Sequence, residues 1–345
     1  MFENYKQQFI LAPVLLFGLR FWKGEDRMLN TPMDVLERFP VRKSGKQKRA
    51  FRAAVQAYVM NLGYAYREEK GSFGCRNVVI GNPEKAEYLV TAHYDTCAAL
   101  PFPNLITPCA LLPFLGYQVL ICVFLLLMPL LPSLTVGYLA GDVDVGFAVW
   151  YVLFWVCLGM MLFGPANRSN ANDNTSGVVT VLEIARTLPQ LHRDKVCFVL
   201  FDLEEAGLIG SAAYRKAHKK QTENQLVLNL DCVGDGDALM LFPTKKLRKD
   251  PKPMEVLRML RGSFGAKRLD IREKGFAVYP SDQTNFPYGV GICALRKGPV
   301  GLYLGRIHTK RDTILEQTNV NLLRSALTSL ITRAENTNRS TLSKE

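Results

Sequence analysis

No two of the eight cysteines in this chain are spaced as a CxxC pair; they stand at 75, 97, 109, 122, 157, 197, 232 and 293. That argues against a thiolate metal site and a disulfide framework. The cysteines read as small buried hydrophobes in a reducing compartment. A basic stripe interleaved with aromatics is missing too, as is any recognisable nucleic-acid module. The formal net charge of +12 therefore does not point to nucleic acid. The basic tracts 42–49 and 245–252 read instead as solvated loops or patches facing anionic lipid. Charge is lacking altogether from 105–140 and, after Asp142 and Asp144, from 146–166.

The uncharged blocks explain how a basic chain can be 48% hydrophobic with a mean hydropathy of +0.03. Core helices of globular domains carry a polar face, and these blocks do not. Each is long enough to cross a hydrocarbon core of ~30 Å, which takes about 20 helical residues. A transmembrane helical hairpin is expected over 105–166. Pro129 and Pro132 fit the end of its first helix, and Pro113 marks a kink or the true start. The turn holds two Asp and no Lys or Arg, while Arg168 follows the second helix. The positive-inside tendency puts the main domain on the cytoplasmic side. A hairpin of this kind could also pack against a copy of itself, giving a homo-oligomer. A second apolar stretch, 9–22, is interrupted by Pro13 and Arg20 and has no small-residue cleavage site, which argues against a signal peptide. It reads as an interfacial anchor, with a third span as the alternative, within an N-terminal membrane-associated segment, 1–30.

Outside the hairpin, short apolar strands alternate with helical patterns. Strands are expected at 77–80, 88–92, 196–201, 225–230, 238–242, 291–295 and 302–304. Helices are expected at 46–62, 177–188, 207–219, 253–264 and 320–336. The fold class is α/β, a mostly parallel mixed sheet flanked by helices and interrupted by the hairpin. One domain then comprises 31–104 and 167–336, followed by a disordered polar tail, 337–345. Such sheets carry their sites at the carboxyl ends of the strands.

What stands at those ends is rich in metal-ligand types. His93, Tyr94 and Asp95 follow one strand, Glu204 and Glu205 another, and Asp231 a third; a fourth leads to His308. Asp173 immediately precedes a helix. Uncompensated carboxylates gathered on one edge would repel one another and raise their own pKa values. A pair of divalent cations resolves the conflict. Mixed imidazole and carboxylate ligands suit zinc before cobalt or manganese.

The order His-x-Asp, Asp-Asn-x-Ser-Gly, Glu-Glu, a lone Asp after a strand, and His-Thr-x-x-Asp-Thr resembles the M28 family of metallopeptidases, the di-zinc aminopeptidases. The motifs run from His93 to His308, essentially the whole domain outside the hairpin. Carried over residue by residue, the resemblance implies that His93 and Asp231 bind one metal and that Glu205 and His308 bind the other. Asp173 would bridge them, Asp95 would fix the His93 tautomer, and Glu204 would be the general base for the attacking water. The implied substrate is a peptide with a free N-terminus.

Three departures from the family pattern stand out, the most unusual being the hairpin itself, set between Asp95 and Asp173 where soluble members have a short connection. Asn172 replaces the first of two aspartates before Asn174, which would alter hydrogen bonding around Asp173. Gln283 replaces a histidine in a Ser-Asp-His segment, which would alter substrate-side contacts. His192 and His218 match no motif and read as solvated, and Cys97 reads as a packed thiol. The leading function is a membrane-anchored exopeptidase. The competing readings are a glutaminyl cyclase on the same fold, a non-catalytic receptor or scaffold, and a module that binds membrane surfaces without turnover.

Overall fold

Strands β1 (Tyr66–Lys70), β2 (Arg76–Ile80), β3 (Tyr88–His93), β4 (Val196–Phe201), β5 (Leu226–Leu230), β6 (Ala238–Pro243), β7 (Gly262–Phe264), β8 (Lys267–Ile271), β9 (Gly289–Gly298) and β10 (Gly301–Tyr303) form one sheet. The computed structural model describes residues 28–100, 102–264 and 267–342. The 9–22 stretch therefore lies outside the described residues. The strand order is β1-β2-β4-β3-β5-β9-β6-β8-β7, with β10 paired to β9 off that path. The centre, β4-β3-β5-β9, is parallel, and antiparallel pairings dominate towards the edges.

Parallel strands are covered on both faces, so they read as continuous apolar runs. β3, β4 and β5 are buried along their whole length. Val90, Phe198, Leu200 and Leu228 face the larger core. Their alternates Leu89, Val199, Phe201 and Val227 face a smaller one with Tyr214 and Phe286. Helices Gly45–Asn61, Gly177–Thr187 and Gln317–Leu342 contribute to the larger core. The first of these starts on a capping box, with Gln47 N donating to Ser44 Oγ at 3.3 Å and Ser44 N to Gln47 Oε1 at 2.8 Å.

The structure adds strands that the hydropathy pattern misses. β1, Tyr-Arg-Glu-Glu-Lys, is a polar edge strand defined by its pairing with β2. The helix expected at 253–264 is shorter, running Pro251–Arg258, and Gly262–Phe264 turns back as β7 against β8. Gly262 inside that span weakens a helix by about 1 kcal/mol relative to alanine. The C-terminal helix runs to Leu342, into the stretch read as a polar tail.

The hairpin leaves the domain after β3 and returns before Asp173. Its first arm is helical over Leu111–Leu127 and again over Leu130–Ala140, with the break at Met128 and Pro129. Pro113 lies in the first turn of one segment and Pro132 in the first turn of the next, where a missing N–H is tolerated. Pro129 therefore stands at a break within the first arm, Pro132 lies in the turn after it, and neither ends the arm. Gly141, at φ 65°, closes the turn, and Asp142 caps Val143–Phe163 by accepting from Asp144 N at 2.8 Å. The two arms touch through small residues. A Cβ on Gly137 would lie 3.1 Å from Gly146 Cα, and one on Gly146 would lie 3.0 Å from the Ser133 carbonyl oxygen. Elsewhere the hairpin's apolar side chains face outward: Leu112 is 80% exposed, Leu131 74% and Phe163 78%.

Gly137→Val should force the arms apart at an overpacking cost of about 1–3 kcal/mol. The thermal midpoint of detergent-purified protein is expected to fall by several degrees. Gly159→Val, where an added Cβ meets nothing within 4 Å, should leave it unchanged. Equal midpoints for the two variants would refute the close packing.

Candidate metal centre

The carboxyl edge of the parallel strands gathers the residues singled out above. His93 is the last residue of β3, and Asp231 directly follows β5. Glu204 and Glu205 occupy the tight turn after β4, which begins with Leu203 at φ 56°. Asp173 lies in the irregular turn Ala171–Ser176 that leads into helix Gly177–Thr187. His308, at φ 59°, comes from the loop after β10.

Asp173 stands between the two imidazoles. Its Oδ1 is 3.2 Å from His93 Nε2 and its Oδ2 is 2.9 Å from His308 Nε2. Asp231 Oδ1 approaches His93 Nε2 at 3.6 Å, and Glu205 Oε2 approaches His308 Nε2 at 3.3 Å. The result is two imidazole–carboxylate lobes sharing one carboxylate. Ligand atoms around a tetrahedral ion at about 2.0–2.1 Å sit about 3.3–3.4 Å apart, so these separations suit divalent cations. Ligand-type atoms of His93, Asp173 and Asp231 lie within 4.8 Å of one another, as do those of His93, Glu204 and Glu205. Glu205 Oε1 and Asp231 Oδ1 are buried without a hydrogen-bond partner, the condition a cation would relieve.

The electrostatics agree with that need. Burial, with Asp173 nearby, pushes Glu205 up to about 8 despite the opposing charge of His308. Burial also drives Glu204 well above the usual carboxylate range, with Glu205 and Asp231 adding to the rise and His93 opposing it. Asp173 moves the other way. Burial would raise it, but hydrogen bonds from His308 and His93 override that and hold it low. His308, which burial would lower, is lifted to about 9 by Glu205 and Asp173.

Asp95 organises the turn beside it. Its carboxylate accepts from Glu204 N at 3.1 Å and Glu205 N at 3.3 Å. His93 Nδ1 lies 3.2 Å from the Asp95 carbonyl oxygen and 3.6 Å from its Oδ1, leaving Nε2 directed at the cluster. Cys97 is buried, and its Sγ falls within ligand reach of Glu205 and His308. All eight cysteines are free thiols.

Several supporting residues escape a reading of the sequence. Asp312 accepts from Asn172 N at 2.7 Å and Asp173 N at 3.0 Å, fixing the backbone that carries the shared carboxylate. It stands inside the His-Thr-x-x-Asp-Thr motif, which offered the signal but not the role. Asn172 Oδ1 accepts from Gly234 N at 2.7 Å and Asp235 N at 3.1 Å, so the residue ties the Asp173 turn to the loop after β5.

Other expectations are corrected. Arg42 is fully buried, not solvated. It donates to the Tyr94 carbonyl at 2.5 Å and to Thr175 Oγ1 at 3.1 Å, setting a positive charge behind Asp95 and Asp173. Lys48, from the same tract, is buried against Asp202 at 2.5 Å. Gln283 has its amide engaged within the fold. It is buried, donating from Nε2 to the Tyr279 carbonyl at 2.6 Å and accepting from Asn229 Nδ2 at 3.2 Å. His218 is paired with Glu69 at 2.9 Å and packs on Tyr214 with ring centroids 4.3 Å apart.

Replacing Asp312 by alanine removes the acceptor for two backbone amides around Asp173. Metal affinity should fall about 10–100-fold while the fold persists. Titration against a chromophoric chelator measures it, and an unchanged affinity would remove Asp312 from the support of the site.

Comparison with known proteins places this geometry in context. A family model described as peptidase family M28 matches residues 158–330, which takes in every clustered residue except His93, Asp95 and Cys97, separated from the rest by the hairpin. Aminopeptidase YwaD of Bacillus subtilis (strain 168) is 42% identical over 67 residues, 19% of this chain and 15% of that protein, so the chain spans only a small part of that relative's length. Among solved structures, LapA of Legionella pneumophila is similar with a TM-score of 0.51 at 13% identity, over 89% of this chain and 73% of that one. A glutaminyl cyclase of Macrostomum lignano gives 0.50 at 14% identity, over 90% of each chain. At such identities the two structures speak to the fold, a mixed sheet flanked by helices. With about half of its length matched by the family model, the chain belongs to peptidase family M28.

Proposed function

We propose that this chain is a metal-dependent aminopeptidase anchored in a bilayer by the hairpin 105–166. The observation that carries the catalytic part is Asp173, whose two oxygens face two separate imidazoles at 3.2 and 2.9 Å. In this reading His93 and Asp231 would hold one divalent cation, Glu205 and His308 would hold a second, and Asp173 would serve both. Zinc suits the mixed nitrogen and oxygen donors best. Bound there, the cations supply Lewis acidity to the scissile carbonyl and the attacking water.

The remaining work belongs to the chain itself. Glu204 receives the proton of the attacking water and delivers it to the departing amine. Burial raises its carboxylate well above the usual range, the direction that makes it a stronger proton acceptor than an exposed glutamate. Asp95 holds the Glu204 and Glu205 amides, so the base and its neighbouring ligand keep a fixed separation. Asp95 also faces His93 Nδ1, which favours the tautomer whose Nε2 can act as a ligand. The substrate is a peptide with a free N-terminus, its amine received by this cluster of carboxylates.

The anchoring part rests on length and exposure. Leu111–Ala140 and Val143–Phe163 are 30 and 21 residues long and overwhelmingly unburied. The shorter spans about 31 Å at 1.5 Å per residue, enough for a hydrocarbon core. The acidic turn and the basic flanks favour the domain on the cytoplasmic side.

Glu204→Gln should lower kcat about 10²–10⁴-fold while leaving bound metal unchanged. Chelator should abolish activity in the unaltered protein, and added zinc should restore it. Release of free N-terminal amino acids from a peptide panel is the assay. Full activity in the variant, or pyroglutamyl peptide as the product, would overturn the reading.

A further inference from the structure

The roots of the hairpin are built into the loops that carry the site. Between Asp95 and the first helix, Ala99 N donates to the Pro165 carbonyl at 2.9 Å, and Leu100 N donates to the carbonyl of His308 itself at 2.9 Å. On the return, Asn167 N donates to the Cys97 carbonyl at 3.1 Å and Asn167 Nδ2 to the Thr309 carbonyl at 3.1 Å. Ile106 pairs in both directions with Leu304, at 2.9 and 2.8 Å. The hairpin is therefore no tethered appendage. Its two ends and the His308 loop form a single hydrogen-bonded collar.

The collar limits how far the site can stand from the apolar helices. Asp95 is three residues from Ala98, Ala98 bridges Ala166, and Ala166 is three residues from the helix end Phe163. At most about 3.5 Å per residue, plus about 5 Å across the bridge, puts the cluster within about 26 Å of that end. An extended peptide covers this distance in about eight residues. Lys43 closes the gap from the domain side, its Nζ donating to the Leu162 carbonyl at 2.8 Å.

An apolar path also links the two regions. Ile307 and Cys232, each next to a residue of the cluster, belong to a buried group against which Ile106 and Cys109 of the hairpin root pack. Phe276 meets Phe114 of the first helix at 5.9 Å. Around the same roots Arg168, Lys274 and Lys310 are exposed, the charge that anionic headgroups attract.

We propose that the site takes its substrates from the bilayer surface: peptides held in the membrane by an apolar C-terminal part, with a free N-terminal residue able to reach the cluster. This rests on the anchored aminopeptidase reading and adds to it the class of peptide used. Such peptides share the enzyme's two-dimensional phase, and the collar fixes the height at which their N-termini are met.

The test uses full-length, metal-loaded protein in mixed detergent–phospholipid micelles. Two synthetic peptides share one ten-residue N-terminal sequence, presented with a panel of first residues. One ends there, and the other continues into a C-terminal acyl anchor. At equal bulk concentration the anchored peptide should lose its first residue at least ten-fold faster. Its rate should also fall as added phospholipid dilutes it in the micelle surface, while the soluble peptide's rate stays constant. Equal rates, or faster cleavage of the soluble peptide, would overturn the proposal and leave the aminopeptidase standing. Cleavage of neither peptide across the panel would overturn both.

Discussion

Mutual repulsion among carboxylates at the carboxyl edge of the parallel strands governs much of this molecule. Asp95, Asp173, Glu204, Glu205 and Asp231 meet around His93 and His308, and water is largely excluded from them. The protein offsets part of the repulsion internally. Arg42 is buried behind Asp95 and Asp173, and backbone amides of the Glu204 turn point at Asp95. Asp312 receives two successive backbone amides, those of Asn172 and Asp173. Burial displaces Glu204 and Glu205 upward, and it does the same to Asp282 and Asp312 beside them. Structural partners hold the rim of the site, and the residual negative charge sits at its centre, where cations fit.

How legible this was in the sequence depends on the kind of residue. The central strands are buried on both faces, so β3, β4 and β5 are written as uninterrupted apolar runs with ligand-type residues directly after them. Strand and site could be read together there. β1 and β8 are short and charged, and their strand character comes from partners distant in sequence. Arg42 and Lys48 looked like members of a solvated basic tract because a buried guanidinium and an exposed one have the same letter. Only the fold brings Tyr94, Thr175 and Asp202 to them. Gln283 is a similar case, since its inward orientation depends on Asn229 and Tyr279.

The hairpin shows how an insertion can be accommodated without loosening a site. It interrupts the chain between Asp95 and Asp173, two residues whose separation matters, and both ends are stitched to the loop of His308. Strain or tilt in the helices would be felt first at the collar. The close approach of Gly137 and Gly146 ties the segment Leu130–Ala140 to the other arm next to the turn.

The position of the insertion also orders events during synthesis. β3, which ends in His93, has β4 and β5 as its sheet neighbours, and both are encoded after the hairpin. While the ribosome is making residues 105–166, the strand carrying the first histidine has no partner on either side. If the hairpin enters a bilayer as it emerges, the central sheet can close only after the chain is already attached. Peptidase activity would then be born at the membrane, and a copy that missed the bilayer would stall with its central strand unpaired and its apolar arms exposed. Coupling of this kind would keep a competent hydrolase from accumulating free in solution.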